Sequence, residues 1–500
     1  MKIGIVTFWS SKDNYGQLLQ LFALQTFLKE LGHEPFLIRY AFWKDNSIPK
    51  LFKEYFLLPW RIPRAIKNKI AERKVHKSNI VHKRKFVEFL SENILYTEQI
   101  YSTKELINNP PIADCYITGS DQVWGALTPN PVFFLQFGAK EIKRISFAAS
   151  FGDGNDFFKD GYISKVTPYL NKFDMVTVRE YKALDVCKKA GINGCILFPD
   201  PTLLIDMSNY NRLLFSNLST DKYCLVYMLE GEEKTKMSMD DIVAFVKDMG
   251  AKMIYVASQG RFDKYAKQYP TIPQFLSYIK NADFVITNSF HGTVFSIMYH
   301  RRFVVIPKKN GNNTRIETLL SQYGLQQHIV EEPAMIKNAY NDVVDWTLVD
   351  NINEKKKKED GMRQSQKLFL TWLIEDERLF ALTEDYIGPD DFTEDIFREV
   401  AELVYEQHAQ GEINPAQIIS RFTDEEQQRE AAALFHARLH PMETRQEREK
   451  ALKETILRIK KHSMDVRSRN LDPTDLAGLQ KIVEDKKQLA ILQKMHISLD

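Results

Sequence analysis

The chain has no apolar run approaching the ~18–20 residues that would cross a bilayer. Its opening, Met1-Lys2-Ile3-Gly4-Ile5-Val6-Thr7-Phe8, lacks the n-region, h-region and cleavage site of a secretory signal and reads as a first strand. Cysteine is scarce: Cys115, Cys187, Cys195 and Cys224 form no CxxC and no His/Cys cluster. A disulfide framework and a zinc ribbon are thereby excluded, and a reducing cytoplasm is the expected setting. An excess of charge of one sign is also missing. Sixty-eight Lys+Arg against 66 Asp+Glu leave a net +2, so no global field draws in nucleic acid, and no direct nucleic-acid binding is expected. Neither GxGxxG nor GxxxxGK[ST] occurs, which removes dinucleotide and P-loop chemistry. No His or carboxylate group stands at metal-ligand spacing, so the expectation is no metal and no cofactor.

What is present is an ordinary globular composition over 500 residues, enough for two or three domains. All four cysteines precede residue 225, and from Gly361 onward glycine recurs only at Gly388, Gly411 and Gly478. Up to about residue 350, short β-branched runs alternate with helical patterns. Ile3–Phe8, Asp114–Thr118, Ile145–Ala148, Met175–Val178, Tyr223–Met228, Lys252–Val256, Phe284–Thr287 and Phe303–Ile306 are such runs. That alternation predicts βα units in two largely parallel sheets. After residue 362 the period becomes 3.6. Thr423-x-x-Glu426 and Thr444-x-x-Glu447 predict capping boxes, and Leu452, Ile456 and Ile459 share one helix face. Between the two styles lies Glu354-Lys355-Lys356-Lys357-Lys358-Glu359-Asp360, read as a solvated linker or helix face because its acids cancel its lysines.

Four polar turns follow strand-like runs, where open α/β sheets bind ligands. After the first come Asn14-Tyr15-Gly16-Gln17, feeding a helix whose N-terminus suits an anion. After Cys115–Thr118 come Gly119-Ser120-Asp121-Gln122, residue types that hold sugar hydroxyls or form an Asx turn. Arg179, just after Met175–Val178, is placed to fork onto a carboxylate or phosphate, or to pair with Glu180 or a neighbouring acid on the surface. The fourth turn, Thr287-Asn288-Ser289-Phe290-His291-Gly292, puts a His in a ligand crevice, with a pKa suited to proton transfer near neutrality. Arg315 adds a cation in the polar loop after Phe303–Ile306.

Asn14-Tyr15-Gly16, Gly119-Ser120-Asp121-Gln122-Val123-Trp124, Ser146-Phe147-Ala148-Ala149-Ser150-Phe151-Gly152, Val178-Arg179-Glu180, Asp200-Pro201-Thr202 and Asn288-Ser289-Phe290-His291-Gly292 occur in that order. As an ordered set over about residues 1–350 they resemble the polysaccharide pyruvyl transferase family. The resemblance implies two Rossmann-like halves similar to the GT-B glycosyltransferase fold, with the active site between them. It implies transfer of an enolpyruvyl unit from phosphoenolpyruvate to hydroxyls of a cell-surface polysaccharide or its lipid-linked precursor. The family's catalytic His falls on His291, and an Arg used for phosphoenolpyruvate falls on Arg179. Asn288, Ser289 and Arg315 complete the expected donor site. Asn14, Tyr15, Gly16, Gln17, Ser120, Asp121 and Gln122 form the expected substrate cleft. One departure stands out: family members carry an Arg two residues before the His, where this chain has Ser289. Arg315 or Lys308 can replace that cation, or a different activated donor is used; a glycosyltransferase-like activity is the alternative.

Residues 49–86 interleave Phe52, Tyr55, Phe56 and Trp60 with twelve Lys and Arg, from Lys50 to Lys85. Such a segment can lie on an anionic membrane and meet a lipid-linked acceptor at its inner face. The plainer reading is a helical insertion packed on the first half.

Beyond residue 362, Gln366-Lys367-Leu368-Phe369-Leu370-Thr371-Trp372, Gly388-Pro389-Asp390-Asp391-Phe392, Val400–Tyr405, Ile413-Asn414-Pro415-Ala416 and Phe422–Glu426 resemble the C-terminal domain of bacterial DNA primase. That resemblance implies a non-catalytic helical bundle with a terminal hairpin that docks on the replicative DNA helicase. An interaction protein acting through residues 362–500 is therefore a further alternative. The expected organisation is a first Rossmann-like half over 1–200, a second over 201–353, a charged linker over 354–361 and the helical module over 362–500. One helix serving both the closing pyruvyl transferase element and the module, or a break within 354–370, both fit the sequence.

Overall fold

The computed structural model describes residues 1–11, 13–41, 84–125, 129–152, 160–192, 194–216, 221–229, 231–258, 261, 263–309, 313–436, 445–470 and 475–494. They fall into two compact units, Met1–Asp350 and Asn351–Asp500.

The first unit holds two parallel sheets. One contains β1 (Lys2–Val6), β2 (Glu34–Tyr40), β3 (Tyr96–Tyr101), β4 (Cys115–Thr118), β5 (Lys143–Ala149), β6 (Met175–Val178) and β7 (Ile196–Leu197), ordered β3-β2-β1-β4-β5-β6-β7. The other contains β8 (Tyr223–Met228), β9 (Lys252–Ala257), β10 (Phe284–Thr287) and β11 (Phe303–Val305), ordered β11-β10-β8-β9. Strands such as β8 and β10 are buried along their whole length, because helices cover both faces of a parallel sheet. Their sequences are accordingly continuous apolar runs. The two halves are Rossmann-like, and the described elements of the second unit are helices.

Strand order dictates where a ligand goes. In the first sheet the order reverses between β1 and β4, which pair in parallel with Val6 opposite Thr118. In the second it reverses between β8 and β10, with Tyr227 opposite Thr287. A crevice opens beyond the carboxyl ends of the strands at each reversal. The helix Tyr15–Glu30 leaves the first crevice and packs against both the helix Phe290–Met298, which leaves the second, and the short turn Pro201–Leu203. Eleven of its sixteen residues are buried, so it lies in the seam of the unit rather than on a surface.

Arg84, the described end of the basic-aromatic segment, is also in this seam. It is buried, donates to the Tyr15 hydroxyl at 3.2 Å and to the Ala257 carbonyl at 2.9 Å, and lies over the Tyr269 ring. It therefore faces protein, not a membrane. Most of the segment, 49–83, lies outside the described residues. Among the described residues no helix is long and apolar enough to cross a membrane.

The charged stretch 354–361, expected as a linker or a helix face, is helical and lies within the helix Trp346–Glu375. Lys and Glu are good helix formers, and no Gly or Pro interrupts the stretch before Gly361. In the second unit, Phe369, Trp372, Phe380, Phe397, Val400, Leu452, Ile456 and Ile459 share one core. The helices Arg445–Asn470 and Leu476–Lys494 form an antiparallel hairpin: Lys453 reaches the Gln493 carbonyl at 3.0 Å, and Arg467 pairs with Asp485. Lys460, 4 % exposed, forms ion pairs with both Asp391 and Asp485 at 3.0 Å and pins the hairpin to the turn Pro389–Asp391. The helix Glu425–His436 begins one residue later than its predicted cap, since Asp424 rather than Thr423 accepts from the Gln427 N–H at 3.0 Å. Thr444 lies outside the described residues.

Candidate active site

The helix Phe290–Met298 starts directly at the end of β10. Ser289 caps it, accepting from the Gly292 N–H at 3.3 Å while its own N–H donates to the Thr287 hydroxyl at 3.0 Å. Asn288 spans the second crevice: its amide accepts from the Leu229 N–H at 2.6 Å and donates to the Leu229 carbonyl at 2.7 Å. With the turn tied down on both sides, His291 sits in the first helical turn, 6 % exposed.

Two groups hold the imidazole. Gly16 lies against it, so closely that a Cβ there would meet Nδ1 at 2.0 Å. Asn14 caps the Gly16 end of its helix, accepting from the Gly16 N–H at 3.1 Å. On the other side, Nε2 stands 3.6 Å from Asp200 Oδ2. Asp200 is fully buried and heavily committed. It accepts from Arg179 Nη1 at 2.7 Å, from the Ser120 hydroxyl at 2.8 Å and, at Oδ1, from the Thr202 hydroxyl at 2.6 Å and N–H at 3.0 Å. Burial alone would raise its pKa. The His291 ring, the Arg179 guanidinium and the Thr202 bond outweigh burial and hold the carboxyl well below the usual range. A fixed carboxylate facing a ring nitrogen orients the imidazole.

Glu180 is the second buried acid. A bulge between Ser146 and Ala149 turns the end of β5 so that the Ser150 hydroxyl and the Phe151 N–H both donate to Glu180 Oε1 at 3.0 Å. Burial pushes its pKa up to about 7 against the opposing pull of Arg179, Arg315 and these two bonds.

A cavity of about 300 Å³ opens beside His291, within the range of small-ligand sites. The first half lines it with Asp13, Asn14, Asp121 and Gln122; the second lines it with Asn288, Ser289, His291, Lys308, Asn313 and Arg315, together with Leu229, Ser258, Phe290 and Ile316. The halves meet where Gln122, with its amide oxygen turned toward the guanidinium, accepts from Arg315 Nη1 and Nη2 at 2.7 and 3.0 Å. Gly152, at φ +76, leaves Gln122 its room, since a Cβ there would come within 2.8 Å of the end of its amide. Among the described residues no group of His, Cys, Asp and Glu could hold a metal ion.

Residues 14–310 match the polysaccharide pyruvyl transferase family. The chain belongs to that family. The matched span runs from the Asn14 cap through both crevices to just beyond Lys308, and of the cavity wall it leaves out Asp13, Asn313, Arg315 and Ile316. No curated protein sequence matches the chain. Among solved structures, the chain is similar to the UDP-GlcNAc 2-epimerase of Methanocaldococcus jannaschii at 11% identity and a TM-score of 0.37, covering 69% of this chain and 93% of that one. It is similar to the spinosyn rhamnosyltransferase SpnG complexed with thymidine diphosphate at 10% identity and a TM-score of 0.32, covering 71% and 95%. HepE from Anabaena, in complex with UDP and glucose, matches at 9% identity and a TM-score of 0.33, covering 72% and 99%.

Of the residues the sequence singled out, the structure brings Asn14, Asp121, Gln122, Asn288, Ser289, His291 and Arg315 to this one cavity. Four others serve it from behind. Tyr15 is fully buried, stacks on Phe275 at 4.2 Å and donates to the Pro270 carbonyl at 2.7 Å, so it ties the halves together. Gly16 makes room for His291. Ser120 and Arg179 hold Asp200, and Arg179 also lies under the Phe290 ring at 4.4 Å. Gln17 is half-buried and its carbonyl accepts from the Gln20 amide. The expected donor contact of Arg179 thus meets a side chain already paired with Asp200, and the cations lining the cavity are Lys308 and Arg315. In the sequence, Asp200 stands out only as part of an Asp-Pro-Thr motif. Proline after an N-capping Asp was the available signal, and it points to a turn rather than to a partner for His291.

Proposed function

We propose that the enzyme transfers a pyruvyl group from phosphoenolpyruvate to hydroxyls of a polysaccharide or its lipid-linked precursor, with no cofactor. The observation that carries this reading is the placement of His291, backed by Asp200, in a cavity whose second-half wall also bears Lys308 and Arg315. The chemistry needs a proton donor for the methylene carbon and cations for a phosphate and a carboxylate, and these groups meet that need. Lys308 and Arg315 neutralise the donor's anionic groups, so that Ser289 leaves room where other members of the family carry an Arg. Asp200 keeps the imidazole oriented, and Arg179 and Thr202 keep Asp200 ionised. Asn14 and Gln122 offer amide groups to the acceptor's hydroxyls. A helicase-independent test is phosphate release from phosphoenolpyruvate in the presence of a glycan, lost in His291→Ala while the fold survives. Undiminished turnover in that variant removes His291 from the mechanism. Equal consumption of a nucleotide sugar in place of phosphoenolpyruvate favours the glycosyltransferase reading instead.

For residues 362–500 the reading is a docking module for the replicative DNA helicase. It rests on the resemblance of these residues to the primase C-terminal domain and is supported by the terminal helical hairpin. Binding of the full chain to the helicase's N-terminal domain is the test; no complex at tens of micromolar, a weak-interface range, leaves the module structural.

A further inference from the structure

The two walls of the cavity differ in charge. The lining residues of the first half include two carboxylates, Asp13 and Asp121, and two amides, whereas those of the second include Lys308, Arg315 and His291 and no acid. An anionic donor is repelled by the first wall and held by the second. The partner that fits against the first wall is neutral and rich in hydrogen-bond donors, which is the chemistry of a sugar's hydroxyls.

Asp121 is the residue on that wall with capacity to spare. It stands at the β1/β4 crevice, 4 % exposed, and its backbone is clamped: its N–H donates to the Gly119 carbonyl at 3.1 Å and its carbonyl accepts from the Ser150 N–H at 3.0 Å. Oδ1 accepts from the Gln122 N–H at 2.7 Å. Oδ2 is buried and has no hydrogen-bond partner. A buried carboxylate oxygen left without a donor is costly, and a rigid turn that maintains one beside a cavity points to a ligand hydroxyl as the missing donor.

We propose that Asp121 binds the attacking hydroxyl of the acceptor sugar and takes its proton; this rests on the pyruvyl transfer reading above. His291 protonates the methylene carbon of the donor, the acceptor oxygen bonds to C2, and the hydroxyl proton passes to Asp121 Oδ2. Phosphate then leaves with the C–O electron pair and takes that proton from Asp121. The second hydroxyl closes the ketal and returns a proton to His291, so both groups end as they began.

The experiment compares wild type, Asp121→Asn and Asp121→Glu with phosphoenolpyruvate and a panel of methyl hexopyranosides bearing free 4,6-diols. Asn keeps an oxygen for the Gln122 N–H, so the turn survives and the change falls on Oδ2. The expected result is a kcat at least 100-fold lower in Asp121→Asn, with the KM for phosphoenolpyruvate within 3-fold of wild type and an unchanged melting temperature. Asp121→Glu recovers part of the lost kcat. An Asp121→Asn enzyme with wild-type kcat overturns the proposal and leaves the pyruvyl transfer reading standing. A wild-type enzyme that releases no phosphate with any member of the panel overturns both. Asp121→Asn and Asp121→Glu equally inactive and equally unstable show a structural residue and also overturn it.

Discussion

Gly16 and His291 are in contact across the seam between the two halves: a Cβ at position 16 would come within 2.0 Å of the imidazole Nδ1. The helix N-terminus of one half is thus shaped around a histidine of the other. Gly16 has no positive φ to explain it; close approach is the whole reason for a glycine here. Gly16→Ala is expected to displace His291 from Asp200 and lower turnover at least 100-fold, while the melting temperature changes by only a few degrees. Steady-state kinetics alongside a thermal melt checks this.

Asp200 links the same His to Arg179. Its folded-state pKa lies below the ordinary value, so it contributes stability at neutral pH that is lost as pH falls through the acid range below ordinary carboxylates. Asp200→Asn leaves the Arg179 guanidinium buried beside a neutral group and is expected to cost about 3–5 kcal/mol at pH 7. Urea unfolding at pH 7 measures the loss. Activity is expected to fall too, because the imidazole loses the carboxylate that orients it.

Glu180 titrates in the opposite sense. Its folded pKa is raised to about 7, so the folded state holds a proton that the unfolded chain has already released. Stability from this residue is present below the ordinary carboxylate pKa and is lost as pH rises toward 7, by roughly 3 kcal/mol in all. Glu180→Gln cannot ionise and keeps an oxygen for Ser150 and Phe151. It is expected to unfold later than wild type at pH 8 and to show a flatter stability profile between pH 5 and 7. A steeper profile in the variant contradicts the assignment.

Much of this was legible in the sequence. Met175–Val178, Tyr223–Met228 and Phe284–Thr287 are strands over the very residues predicted, because a fully buried parallel strand is a short apolar run bounded by polar turns. Glu34–Tyr40 and Tyr96–Tyr101 were not among the predicted runs: they lie toward one edge of the first sheet and mix charged and polar residues with apolar ones. The turns at the strand ends were recognisable as sites, and His291, Asp121 and Arg315 do share a cavity. The partner of Arg179 was not recognisable. Asp200 lies 21 residues further on, past β7, and only the packing of the sheet brings the two to 2.7 Å. Local sequence offered Glu180 as the nearer acid, and that side chain turns instead to Ser150.

Arg144 shows how a single buried cation can organise a loop. Its guanidinium donates to the carbonyls of Leu135 at 2.9 Å, Phe137 at 2.8 Å, Ile142 at 2.7 Å and Ala139 at 3.0 Å. Arg144→Met leaves several buried carbonyls without donors, each costing about 1–3 kcal/mol. A loss of at least about 3 kcal/mol in chemical denaturation is expected, with little change in KM in the enzyme that remains folded.

Which donor is consumed in the cavity beside His291 decides the reaction. The most direct measurement follows wild-type enzyme with phosphoenolpyruvate and a diol-bearing glycan, reading inorganic phosphate and the ketal methyl resonance together by NMR. The predicted result is one phosphate released for each ketal methyl formed, with both signals abolished in His291→Ala. Phosphoenolpyruvate left intact while a nucleotide sugar is consumed under the same conditions would contradict it.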